Sequence, residues 1–427
     1  MKGFMKAAVK ILLCIEMILF SSHCFSQTWN NPHRLSGSEN IVYLAFTNPP
    51  KTLDPAKSYS ADEAQFTAQI YEPPLEYHFL KRPYTLIPLS AADMPKISYY
   101  DKQNNLLSHP DSKTVAYTIY ELTIRPGIYY QPHPAFARDA IGKFYYLNLS
   151  LEDLADINVL KDFKYNGSRE LIAEDFVYEI KRLADPTVQS PIYGLMSQHI
   201  AGLSQLAEQL QKNYKKANLA QQNTPFIDLR KFPLDGAKIT DRYHYQIKIM
   251  GFYPQFIYWL AMPFFAPMPW EAVQFYSQKG MAERNISLDW YPVGTGPYLL
   301  MENNPNKEMI LKKNPNFHDE FYPSEGEPGD RENGYLENSE KKLPFVDEFL
   351  FTLDRESIPR WNKFMQGYYD ESGVSSDSFD QAIHLDADGH ASLTPALEKK
   401  GIRLANTISP AVFYIGFNML DPLVGGY

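Results

Sequence analysis

The first 26 residues constrain the rest of the chain most strongly. Lys2, Lys6 and Lys10 form a short positive region, and Ile11 to Phe20 is apolar apart from Glu16. Ser21-Ser22-His23 then leads into Cys24-Phe25-Ser26. That three-part order reads as a secretory signal cleaved after Ser26, with small residues at the two positions that matter for cleavage. The apolar run is shorter than the ~20 residues that a stable bilayer-spanning helix needs. Both cysteines, Cys14 and Cys24, lie inside this segment. The exported chain is therefore expected to hold no disulfide framework and no thiolate chemistry. A lipid-modified cysteine follows a small residue, whereas Leu13 precedes Cys14 and His23 precedes Cys24. The sequence predicts a soluble periplasmic protein without a lipid anchor.

A chain of 427 residues is too long for one ordinary core and predicts two or three domains. Its 44% hydrophobic and 21% charged residues are those of a globular protein. The formal net charge is -9, and loss of the signal makes it about -11. That balance argues against nucleic acid and anionic membrane surfaces as partners. The most apolar later run, Phe252 to Met268, is punctuated by Pro254, Pro263 and Pro267 and is not read as a membrane span. Tyrosine is abundant, at 30 residues, and its flat apolar ring with one hydroxyl suits recognition surfaces as well as cores.

Apolar periodicity marks the elements. Ile41 to Phe46 reads as a buried strand stopped by Asn48-Pro49-Pro50. Tyr117 to Ile124, Tyr243 to Met250 and Asp347 to Leu353 alternate as strands do. Asp62 to Leu75 is expected to be a helix closed by Pro73-Pro74. Glu170 to Leu183 carries Ala173, Phe176, Val177, Ile180 and Leu183 at helical spacing, and Leu203, Leu206 and Leu210 form another such stripe. Trp361 to Met365 opens a short helix that stops at Gly367. Gln131 to Arg138 and the acidic, glycine-rich stretch Phe317 to Lys342 are expected to be loops, the second a solvated one. Strands and helices mix without strict alternation, which predicts an α/β or mixed architecture.

Several chemistries are missing from the sequence. There is no P-loop, zinc-protease helix, Gly-x-Ser-x-Gly elbow or dinucleotide fingerprint. Gly294-Thr295-Gly296 is followed by Pro297 and reads as a turn. His133, His199 and His244 have no second ligand three or four residues on, so no histidine metal site is expected. The clustered carboxylates of the Phe317 to Lys342 stretch lack the alternation of a calcium loop. Glu174-Asp175 fits a helix start rather than a general acid and base. The sequence offers no argument for an enzyme and none for a cofactor.

Six segments, in order, resemble the family 5 extracellular solute-binding proteins of ABC importers, the oligopeptide-, dipeptide- and nickel-binding type. They are Leu53-Asp54-Pro55 with Tyr71-Glu72-Pro73-Pro74-Leu75; Tyr117-Thr118-Ile119 through Arg125-Pro126-Gly127-Ile128; and Ile172-Ala173-Glu174-Asp175-Phe176. Pro292-Val293-Gly294-Thr295-Gly296-Pro297-Tyr298 with Asn314-Pro315-Asn316 follows, then Leu343-Pro344-Phe345-Val346-Asp347 with Gln366-Gly367-Tyr368-Tyr369-Asp370, and last Phe413-Tyr414-Ile415-Gly416-Phe417-Asn418. Two departures stand out. Gln131-Pro132-His133-Pro134 replaces the family's aspartate-glycine turn, and Ile172 stands where a threonine would cap the helix, so another residue has to cap it or the helix starts near Ser168.

The resemblance implies a two-lobed periplasmic-binding-protein fold that closes on a ligand. On that pattern residues 27–75 and 232–312 form lobe I, 76–231 a subdomain inserted on it, and 313–427 a lobe II. The resemblance further implies that lobe II and the return to lobe I are incomplete in this chain, as in a fragment or the product of a disrupted gene. It implies a monomer that binds a small peptide and hands it to a membrane permease. A binder of nickel, a sugar or a haem-like compound is the alternative, as is a remnant without binding activity. By position, Ser58, Tyr59 and Ser60 follow Leu-Asp-Pro where relatives approach the ligand, and Tyr414 and Asn418 lie on the distal strand.

Overall fold

The structure is a computed structural model that describes residues 33, 40–220, 226–405 and 414–425. The segment read as an export signal, with Cys14 and Cys24, lies outside the described residues. Among the described residues no helix is long and apolar enough to cross a membrane.

Two four-stranded sheets organise the protein. The first is built from β1 (Ile41–Phe46), β8 (Tyr298–Asn304), β9 (Glu308–Lys313) and β10 (Glu348–Leu353), in the order β1-β10-β9-β8. β10 runs parallel to β1, with Tyr43 opposite Leu350, and antiparallel to β9. β1 differs from the buried strand expected of it: Phe46 alone of its six residues is buried. The reason is topological. β1 has β10 on one side and, among the described residues, no further strand on the other.

The second sheet takes β4 (Lys96–Tyr100), β5 (Tyr117–Thr123), β6 (Ala237–Ile239) and β7 (His244–Met250) in the order β4-β5-β7-β6, all antiparallel. β5 alternates as expected: Thr118, Tyr120 and Leu122 are buried, and the residues between them half-exposed. β7 buries Tyr245, Ile247 and Ile249 in the same way. Against this sheet pack α2 (Ala173–Arg182), whose Phe176 ring stacks on Tyr245 at 5.2 Å, and the pair α3 (Tyr193–His199) and α4 (Leu203–Ala220). Leu203, Leu206 and Leu210 are buried, as the helical stripe predicts. Residues 252–268 fold as short helical turns that place Phe256, Leu260, Phe264, Phe265 and Met268 in the core.

The uncapped start of α2 is resolved by an acidic residue. The helix begins at Ala173, and the Asp175 carboxylate accepts the Ile172 N–H at 3.1 Å. This supplies one of the orphan backbone donors with a partner where a threonine is absent. Asp175 also receives Arg169 at 2.6 Å, and Arg169 is shared with Glu271 at 2.8 Å.

The Gln131 to Arg138 loop is buried except at Pro132 and Arg138 and includes a single 3-10 turn, Pro134–Phe136. Its polar groups are satisfied internally. Gln131 exchanges hydrogen bonds with Pro292 and Gly294, while His133 takes the Ala135 N–H and meets the Tyr276 hydroxyl at 2.7 Å. Burial pushes His133 down to about 3, so it stays neutral. The acidic Phe317 to Lys342 stretch is only partly solvated. Glu325 pairs with Lys81, Glu327 accepts the Arg82 N–H, and His318 is held against Glu72.

One apolar cluster runs through both sheets, from Phe46 and Phe66 to Tyr120 and Ile247. A second, around Trp361, Ala382 and Leu397, gathers residues that follow β10. β10 itself lies beyond the boundary expected near residue 313 and shares its sheet with β1.

Candidate site: a groove beside the edge strand

α1 (Ala61–Ile70) is positioned by its own first turn and by β1. Glu63 is the anchor: its carboxylate accepts the backbone N–H groups of Tyr59 and Ser60 at 2.9 Å each and that of Lys51 at 3.3 Å. Burial works against its charge, but those donors hold Glu63 below the usual carboxylate range. Phe66 and Ile70 turn inward, with the Phe66 ring 5.8 Å from Phe46 and 4.9 Å from Phe351. Gln65 and Gln69, four residues apart, stand on one helical face beside that apolar stripe.

Beyond β10, α7 follows as Ser357–Met365, α5 being Phe256–Trp259 and α6 Trp270–Tyr276. Buried Asp354 ties it down. The Asp354 carboxylate receives Lys363 at 2.8 Å and the Tyr369 hydroxyl at 3.0 Å, and its N–H donates to the Phe46 carbonyl. Burial, with Asp354 alongside, pushes the Tyr369 phenol upward. The chain then touches the edge of β1 that no other described strand covers. The Tyr43 N–H donates to the Asp370 carboxylate at 2.7 Å, and the Asp370 N–H to the Tyr43 carbonyl at 2.9 Å.

Between these parts lies a cavity of about 350 Å³. Leu44 and Ala45 of β1 and Phe349 and Phe351 of β10 line it, with Gln65 and Gln69 from α1. Arg360 stands on one side and Glu371, Ser372 and Gly373 complete it. Strand alternation gives the site its character. Tyr43 turns its backbone groups outward to Asp370, so Ala45, two residues on, presents its N–H and C=O to the same side. The cavity thus offers an edge-strand backbone, two amides, an apolar floor and one charge of each sign.

None of the residues predicted from position lines this cavity. Ser58 is buried and donates its N–H to the Asp54 carbonyl, and Ser60 is the N-cap of α1. Tyr59 lies between them with its ring exposed, 6.1 Å from Phe264. Tyr414 and Asn418 are exposed and belong to no strand, and Asn418 closes a turn by accepting the Leu420 N–H. Gln65, Gln69, Arg360 and Glu371 escaped the sequence reading. The paired glutamines on the polar side of an amphipathic helix were the one local signal.

Residues 161–425 match the family described as bacterial extracellular solute-binding proteins, family 5 Middle. The periplasmic oligopeptide-binding protein OppA of Escherichia coli K12 is 27% identical over 158 residues, which are 37% of this chain and 24% of that protein. OppA of Salmonella typhimurium LT2 is 27% identical over 157 residues, 36% of this chain and 24% of that protein. The match to these curated relatives thus spans about a quarter of their length. Among solved structures, the Escherichia coli murein tripeptide binding protein MppA aligns at TM-score 0.49 and 14% identity, over 81% of this chain and 48% of that one. Listeria monocytogenes OppA bound to peptide gives the same values. With well over half its length matched, the chain belongs to the family 5 bacterial extracellular solute-binding proteins.

Proposed function

We propose that the chain is the periplasmic substrate-binding component of an ABC importer and binds short peptides in the groove beside β1. The observation that supports this best is the outward-facing backbone of Ala45 at the mouth of that groove. A peptide can add to such an edge through main-chain hydrogen bonds, which serve any side-chain sequence. Its terminal amine finds a carboxylate in Glu371, and its terminal carboxylate a guanidinium in Arg360. The cavity volume falls within the ~300–1,000 Å³ of small-ligand sites. On this reading residues 1–26 direct export, and a permease in the membrane receives the ligand. Lobe I extends through β10 and the distal lobe starts with α7. Tyr59, flanked by Ser58 and Ser60, contacts the ligand from the start of α1, and Tyr414 and Asn418 from the distal side on closure.

Ligand-induced thermal shift tests the reading. A pool of tri- to pentapeptides should raise the melting temperature of the chain in a concentration-dependent way. A sugar or haem compound that does so while peptides do not would overturn it.

A further inference from the structure

A second polar cluster, sharing no lining residue with the groove, joins the turn after α1 to the loop after β9. Glu72 sits between the last turn of α1 and Pro73, its backbone carbonyl held by the Ser90 hydroxyl at 3.2 Å, and is 2% exposed. His318 lies 246 positions later, with its side chain 7% exposed, and its Nε2 meets Glu72 Oε1 at 2.7 Å. The carboxylate of Glu320 completes a group whose ligand atoms lie within 4.8 Å of one another. Glu76, on β2 (Leu75–Tyr77), faces the same cluster, as does Arg125.

Two atoms of this cluster are buried without a partner: Glu72 Oε2 and His318 Nδ1. Glu72 Oε2 is an acceptor, and a buried acceptor left unmatched among carboxylates is costly. A cation bound by His318 Nε2 in place of its hydrogen bond to Glu72 would satisfy that oxygen, while Nδ1, on the far side of the ring, would carry the proton.

The geometry points to a divalent-cation site of the zinc class at Glu72, His318 and Glu320, with Glu76 at its edge. One imidazole with two or three carboxylates is a donor set that zinc accepts at four-coordination. The ion would fasten the turn after α1 to the loop after β9. A second group, Asp386, Asp388 and His390, also has ligand spacing. It is exposed and already explained as a turn, because Asp386 accepts the N–H groups of Asp388 and His390 and the His390 ring.

The full chain, stripped with a chelator, is titrated with Zn²⁺ in competition with a chromophoric chelator, and Co²⁺ is used to read coordination from its visible bands. One tight equivalent is expected, with a rise in melting temperature. E320Q and H318Q should each weaken it by more than the ~10–100-fold that loss of an outer-shell partner costs. The double variant D386N/H390Q should leave the tight equivalent unchanged. No tight equivalent in the wild-type chain, or one that survives in E320Q, whose site is half-exposed and tolerant of the change, would overturn the assignment. So would a tight equivalent lost in D386N/H390Q.

Discussion

Arg182 of α2 reaches out of its own helix to hold Asp54, with its two terminal nitrogens 2.6 and 3.0 Å from the two carboxylate oxygens. Both side chains are 3% exposed. Asp54 is the acid of the Leu53-Asp54-Pro55 element, and its role there is structural. It locks the segment leading into α1 onto the subdomain that carries α2. Burial alone would raise Asp54, but Arg182 holds it below the usual range. Replacing Asp54 by Asn leaves a buried guanidinium short of its counter-charge. D54N should lose about 3–5 kcal/mol of stability, measured by urea unfolding.

Glu179 shares Arg182 at 2.8 Å yet has a second oxygen, Oε1, buried without a partner. Burial, with Asp54 adding to it, pushes Glu179 up to about 8 against the pull of Arg182. A carboxyl raised above its unfolded value of ~4.3 binds a proton more tightly in the folded state. Its contribution is full below the unfolded pKa and is lost as pH rises through about 8. Melting temperature should therefore fall between about pH 5 and pH 8, and E179Q should flatten that fall.

The Gly294-Thr295-Gly296 element is explained by a close approach. A Cβ on Gly294 would run into the carbonyl oxygen of Ile70, and one on Gly296 would sit 2.7 Å from the same group. The Gly296 N–H donates to that carbonyl at 2.9 Å, so the turn caps the end of α1. G294A should cost roughly 1–3 kcal/mol through forced displacement of backbone, read from chemical unfolding.

At the groove, R360A and E371Q should each weaken peptide binding by roughly tenfold or more, the scale of one charge-assisted hydrogen bond. Calorimetry against a peptide with free termini checks this, and blocking the matching terminus of the peptide should abolish the difference. Melting temperature without ligand should move little for E371Q, because Glu371 is exposed.

Local pattern made much of the scaffold legible. The two faces of Tyr117 to Ile124 and the stripe through Leu203, Leu206 and Leu210 follow from neighbours a few residues away. The helix expected over Asp62 to Leu75 is shorter: it ends at Ile70, Tyr71 is already extended, and Leu75 opens a strand. What escaped depends on distant partners. Whether Asp54 belonged to a ligand or to the scaffold could not be read without Arg182, 128 positions on. The groove draws on Ala45, Gln69, Phe351 and Glu371, which no spacing rule connects. At Ile172 the sequence called for a substitute cap without naming it, and Asp175 inside the helix supplies it.

The neighbour that β1 needs is made very late. Asn40 and Asp347, which bond at the start of the β1–β10 pair, are separated by 307 positions. Closing so long a loop adds a logarithmic entropy cost, and contacts of such range form slowly. During synthesis the Ile-Val-Tyr-Leu-Ala-Phe segment therefore emerges as an apolar ribbon with nothing to dock on until some three hundred further residues exist. A sequence of that kind is a natural target for a holding chaperone, and any condition that delays release of residues 348–353 should favour aggregation nucleated at 41–46.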